Sequence, residues 1–219
     1  MDYFNEEERV QQQKFAAWRD RALAPVISIL LSLHLTPNRV TILAVLCLIG
    51  GVLIPPFQSM AFQSMAWIAI SILLFSYCVL DGFDGPLARK MGKSHQGGAI
   101  VDMAADQIGI PLVAAAAAFH WNVDPWSAVI FSASYISFIM LAVYANQHNI
   151  KIWAFLRVKY FYYFLYCVSA LLENIFSQNW YLLVWATPIF AVYYSFFTFH
   201  ALKRIYDHYD NAHNTNNKA

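Results

Sequence analysis

Charge is what this sequence lacks most. Asp, Glu, Lys and Arg make up 12% of its 219 residues, about half the share of an ordinary soluble domain. So few charged groups argue against a water-facing globule. The net charge of +1 provides no strongly basic face, which speaks against a nucleic-acid partner. Cysteine is scarce as well. Cys47, Cys78 and Cys167 stand in separate apolar blocks without paired spacing, which argues against a disulfide framework or a cysteine zinc site. Residues 1–21 are polar and mixed in charge, with no basic stretch leading into an apolar run, so a cleavable signal is not expected. Internal repeats and low-complexity tracts are missing too.

What is present is hydrophobic: 59% of the residues are apolar. They fall into six blocks, Val40–Phe57, Met65–Leu87, Gly98–Phe119, Trp126–Ala145, Ile152–Leu172 and Tyr181–Leu202, each near the roughly 20 residues a bilayer-spanning helix needs. The blocks are apolar on all sides rather than alternating, so helices are expected and a barrel is not. Ahead of them, Phe15, Trp18, Ala22 and Val26 recur at helical spacing between Lys14, Arg19, Asp20 and Arg21, the pattern of an amphipathic helix in the headgroup region. Ala22–Leu35 is apolar but short and carries Pro25; it is either an interfacial continuation or part of the first span. The expected fold is therefore an all-α integral membrane protein with six transmembrane helices preceded by an N-terminal amphipathic interfacial helix. It divides into an interfacial segment (1–35), a membrane domain (36–204) and a polar, frayed tail (205–219).

All 14 Lys and Arg residues fall before the first span, after the second, around the start of the fifth or after the sixth. The opposite loops, Gln58–Gln63, His120–Pro125 and Glu173–Gln178, contain none. The positive-inside rule then places both termini in the cytoplasm.

Four carboxylates lie within the expected spans: Asp81, Asp84, Asp102 and Asp106. Charge is costly inside a membrane, so such residues are functional candidates. Asp81 and Asp84 are three apart, and Asp102 and Asp106 four apart, so on helices each pair shares a face. The short connection Lys90–Gly97 makes the two helices antiparallel neighbours, with both pairs at the cytoplasmic end. Four such groups repel unless cations balance them. Two hard divalent ions, Mg²⁺ or Mn²⁺, suit an all-oxygen set, and a two-metal site suits phosphoryl chemistry. Gly82, Gly85 and Ala88 leave one side of the second helix bare, and Gly98 does the same on the third, so a flat ligand can approach the backbone. Arg89 lies one turn beyond Gly85, placed to hold a phosphate. Pro86 removes the hydrogen bond to the Gly82 carbonyl, which kinks the helix or frees that carbonyl.

Residues 81–106 resemble the signature of the CDP-alcohol phosphotransferases, D-x2-D-G-x2-A-R-x8-G-x3-D-x3-D. Every fixed position matches: Asp81, Asp84, Gly85, Ala88, Arg89, Gly98, Asp102 and Asp106. The resemblance implies metal ligation by Asp81, Asp84 and Asp102, and a catalytic base in Asp106 that also touches a metal. It implies that Gly85, Ala88 and Arg89 line a CDP pocket. Thr36-Pro37-Asn38 and Thr41 look like the family's approach to the first span, which adds Asn38 and Thr41 to the nucleotide contacts. It further implies a homodimer and transfer of a substituted phosphate from a CDP-linked donor to an alcohol, with release of CMP. CDP-diacylglycerol is the preferred donor, and a small polar or phosphorylated alcohol the acceptor. A soluble CDP-alcohol donor with a lipid acceptor is the alternative. Val101–Gln107 lacks the proline and basic residue often found around the last two aspartates, so the subfamily stays open.

Three rivals fit less well. An intramembrane prenyltransferase places its aspartates on widely separated helices, and a transporter with an aspartate relay predicts midplane carboxylates and repeats. A catalytically dead relative conflicts with the intact aspartates. Arg157 and Lys159, at the start of the fifth span, either bind a phosphate or snorkel to the headgroups. His95 reads as a solvated loop residue. The run Tyr160–Tyr166 reads as packing against lipid or helices, and Trp121, Trp126 and Trp180 as an outer interfacial belt.

Overall fold

The computed structural model describes residues 21–54, 60–176 and 182–216. Phe15, Trp18 and Trp180 lie outside the described residues, as does most of the expected interfacial segment. Among the described residues the chain is all-helical: α1 (Arg21–Ser32), α2 (Pro37–Leu53), α3 (Met60–Asp81), α4 (Asp84–Lys90), α5 (Gln96–Trp121), α6 (Pro125–Gln147), α7 (Lys159–Phe176) and α8 (Leu182–Asn216). Four stretches are long and apolar enough to cross a bilayer: Met65–Lys90, Gly97–Trp121, Pro125–Gln147 and Leu182–Asn211. The pair α1 and α2 makes a fifth if taken as one broken span. This is an integral membrane protein.

Sequence signals explain the helix limits. Pro37 stands at the start of α2 and Pro125 at the start of α6, where a missing N–H costs nothing. Asp124 caps α6 by accepting from Ser127 N at 2.8 Å. His34 closes α1 at φ 55°, and Leu35 N reaches back to Leu30 O at 3.1 Å, the bonding pattern of a left-handed helix end. The chain then turns by 100° into α2. Ala22–Leu35 is thus not a coaxial start of the first span. α1 instead lays Ile27 against Val40 of α2 and Leu87 of α4.

Four expectations change. The second span is broken: α3 ends at Asp81, Gly82 and Phe83 form a turn, and α4 restarts at Asp84. Pro86 has no N–H to donate to the Gly82 carbonyl, so the helical bonding lapses there. The fifth helix starts at Lys159, not Ile152. Residues 151–158 stay irregular because α8 satisfies their backbone. Leu156 N donates to Tyr193 Oη at 2.6 Å, and Tyr194 Oη donates to Leu156 O at 3.1 Å. The last helix continues through the polar tail to Asn216, where Tyr209 meets Tyr144 hydroxyl to hydroxyl at 2.9 Å. Trp121 is no belt residue: it is 6% exposed and stacks on Trp67 with ring centroids 4.7 Å apart.

α3 packs between α2 and α7, α5 between α2 and α6, and α6 along α8. The core between them is aromatic, with Tyr77, Phe131, Phe138, Tyr162, Tyr163, Tyr166 and Tyr194 fully buried. The run 160–166 therefore divides by helical period. Tyr162, Tyr163 and Tyr166 face inward, while Phe161 and Phe164 face outward.

Candidate active site

Three helix ends and one loop meet where the carboxylates lie. α3 delivers Asp81 on its last residue and α4 delivers Asp84 on its first. Asp102 and Asp106 stand one turn apart on α5. His95 caps α5 through Nδ1, which accepts from Gly98 N at 3.1 Å, so the loop histidine positions the helix carrying both aspartates. Lys159 opens α7.

The four carboxylates do not form one ring. Oxygens of Asp81, Asp102 and Asp106 lie within 4.8 Å of one another. Asp84 stands beside this trio rather than within it, and lines the same cavity as Asp102. Its Oδ2 accepts from Thr41 Oγ1 at 2.7 Å, and its Oδ1 accepts from the Gly85 N–H at 2.6 Å. The helix break at Gly82–Phe83 is the physical reason, since on an unbroken helix Asp84 would share a face with Asp81.

One flank of the trio is closed by α7. Lys159 Nζ lies 2.9 Å from Asp81 Oδ2 and also pairs with Asp106 Oδ1. Lys159 is only 3% exposed, so it does not snorkel. Tyr160, expected to pack, donates its hydroxyl to Asp81 Oδ2. Arg157 stays exposed. Asp81 Oδ1 is buried and has no hydrogen-bond partner among the described residues. Three clustered carboxylates with an unsatisfied buried oxygen are a donor set fit for a hard divalent cation.

A cavity of about 420 Å³ opens beside the cluster. α2 contributes Asn38 and Thr41, α4 contributes Gly85, Ala88 and Arg89, and the loop with the start of α5 contributes Lys93, Ser94, His95, Gly98 and Ala99. Asp84 and Asp102 also line it. Six of the seven residues expected to contact nucleotide thus line one cavity; Gly82 does not. Gly85 faces the Arg89 guanidinium, whose Nη1 would lie 3.5 Å from a Cβ placed there.

This geometry can be set against known proteins. A profile of the CDP-alcohol phosphatidyltransferase family matches residues 34–193, well over half the chain and the whole cavity lining. The chain belongs to the CDP-alcohol phosphatidyltransferase family. An uncharacterized class-I member of that family, protein 2 from Dictyostelium discoideum, is 30% identical over 98 residues. That match covers 43% of this chain and 24% of the relative, so the chain aligns with about a quarter of the relative's length. The fold is similar to crystal structures of the phosphatidylinositol phosphate synthase PgsA1 of Mycobacterium tuberculosis. The structure of that protein with CDP-DAG bound has a TM-score of 0.65 at 20% identity, over 85% of this chain and 94% of that one. The structure with manganese and citrate gives 0.65 and 20% over 83% and 88%.

Within this family member, Tyr160 and His95 are placed at the site by contacts that sequence reasoning missed. Tyr160 sat inside an aromatic run and had no local signal. His95 did have one, because it stands three residues before Gly98 at a helix start, a capping position.

Proposed function

We propose that the protein transfers a substituted phosphate group from a CDP-linked donor to an alcohol, with CDP-diacylglycerol as donor and CMP as the leaving product. The observation that carries this reading is the double position of Asp102, which lines the nucleotide-sized cavity and also belongs to the carboxylate trio. A donor seated in the cavity would present its pyrophosphate to the carboxylate cluster. The PgsA1 structures, one with CDP-DAG and one with manganese, support the same class of donor and ion.

Asp81, Asp102 and Asp106, with Asp84 completing the set, would hold two Mg²⁺ or Mn²⁺ ions, whose charge would stabilise phosphate oxygens when bound. The chain's own residues supply the rest. Gly85, Ala88 and Gly98 let the nucleotide lie against backbone, Asn38 and Thr41 offer polar contacts, and Arg89 pairs with a phosphate. Asp106 takes the proton from the acceptor hydroxyl. The hydroxyl oxygen bonds to the phosphorus distal to cytidine as that phosphorus releases the CMP oxygen. Arg89 stabilises the charge that develops on CMP. Arg157, exposed two residues before Lys159, would meet a phosphorylated or polar acceptor alcohol. The one-sided Lys and Arg distribution supports six spans with both termini and the site at the cytoplasmic face. A homodimer follows from family resemblance.

The test uses purified protein in detergent with CDP-diacylglycerol, soluble CDP-alcohols and a panel of polar alcohols, following CMP release. Chelator should abolish release and Mg²⁺ or Mn²⁺ should restore it. Asp106→Asn should lower turnover by about 10²–10⁴-fold while the protein remains folded. Undiminished release under chelation, or from Asp106→Asn, would overturn the mechanism. Release only from soluble CDP-alcohols would move the donor to that class.

A further inference from the structure

Lys159 belongs to no part of the family signature, yet it is held against the carboxylate cluster. Its ammonium touches Asp81 Oδ2 at 2.9 Å and pairs with Asp106 Oδ1, two of the three carboxylates that cluster tightly enough to hold an ion. The rings of Tyr77 and Tyr160 flank it, with centroids 5.1 and 4.8 Å from Nζ, and stabilise a cation there further. An ammonium has three donors and no lone pair. It cannot ligate a metal, and it repels one. The oxygens it holds are those an ion needs, and Asp81 Oδ2 already accepts from Tyr160 as well.

Lys159 also sits where the chain can let it go. It is the first residue of α7, preceded by the irregular stretch 151–158, and it ends a flexible four-carbon stem.

We propose that Lys159 is a tethered counter-cation that competes with a divalent ion for Asp81 and Asp106, so that loading the ion expels the ammonium from between them. This deepens the metal-site reading above and rests on it. Lys159 would keep the aspartates together and neutralised before the ion arrives. The exchange would set ion affinity, and it would release a positive charge into the site as the phosphate donor is engaged.

Competition has a thermodynamic signature that a fixed structural lysine lacks, because coupling between two ligands of one site is reciprocal. Melting temperatures of the wild type and Lys159→Met would be measured in detergent, in chelator and in saturating Mn²⁺. In chelator the variant should melt lower, since its buried aspartates lose their partner. In Mn²⁺ the gap should close. By electron paramagnetic resonance the variant should bind Mn²⁺ about tenfold tighter, a usual size for such coupling. A gap that persists in Mn²⁺, or an unchanged affinity, would overturn the proposal while leaving the metal site intact. No Mn²⁺ binding by either protein would defeat the metal-site reading, and this inference with it.

Should Lys159→Met not fold in chelator, the wild type decides alone. An amine-reactive reagent followed by mass spectrometry should find Lys159 protected in chelator and modified in Mn²⁺, with exposed Lys151 modified equally in both. Protection of Lys159 at full Mn²⁺ occupancy would sink the exchange.

Discussion

The two walls of the site are built in opposite ways. The cavity wall, from Asn38 to Gly98, comes from three elements in the first half of the chain, α2, α4 and the start of α5, with small residues and polar groups at helical spacing. The acidic wall joins α3 and α5 to α7, and its closing contact, Lys159 to Asp81, spans 78 residues. The first wall can be read along the chain. The second exists only once α7 has docked. Asp102 belongs to both walls. Under the proposed function, donor recognition and ion binding would meet at one residue while being supported by different parts of the fold.

Removing the shared residue should have the largest effect. Asp102→Asn should lower CMP release by at least about a hundredfold, because a bound ion at such a site is worth several kcal/mol of charge stabilisation. It should also weaken Mn²⁺ binding measured directly. Normal Mn²⁺ affinity in this variant would separate the walls completely and remove Asp102 from the ion set.

The cavity wall can be probed alone through Thr41, whose hydroxyl donates to Asp84 at 2.7 Å in a 5%-exposed position. Thr41→Val keeps the shape and strips the bond. It should cost about 2 kcal/mol of stability, as expected for a hydrogen bond to a charged group. It should raise the donor KM more than it lowers kcat, and Thr41→Ser should recover most of the loss. An equal effect on Mn²⁺ affinity would show that the Thr41 bond orients Asp84 for the ion more than for the donor.

The acidic wall can be probed from a distance through Tyr194, whose hydroxyl donates to Leu156 O and accepts from Val158 N at 3.3 Å. Tyr194→Phe leaves the ring packed and frees both backbone groups, at about 1–2 kcal/mol. It should change Mn²⁺ affinity through the position of Lys159, with little change in donor KM. An unchanged ion affinity would show that α7 is fixed by its aromatic packing and not by these bonds.

Much of the molecule was legible in advance. Apolar block length predicted four of the membrane helices among the described residues, because a bilayer forces each spanning backbone to satisfy itself locally. The cavity lining was legible for a related reason: Gly85, Ala88, Arg89 and Gly98 act through helical spacing, which is a property of the chain alone. The break at Gly82–Phe83 was half legible, since Pro86 announced a kink but not that Asp84 would swing to Thr41.

Tertiary structure alone decided the rest. A lysine at a span end has the same local pattern whether it reaches headgroups or aspartates, and Tyr160 differs from its aromatic neighbours only by what stands opposite. Residues 152–158 had every local reason to be helical and are not, because two tyrosine hydroxyls on α8 take the backbone bonds that a helix turn would have made. Spacing along a chain fixes which side chains share a face. It does not say which face another helix will bring against them, and that choice put the ammonium between the carboxylates.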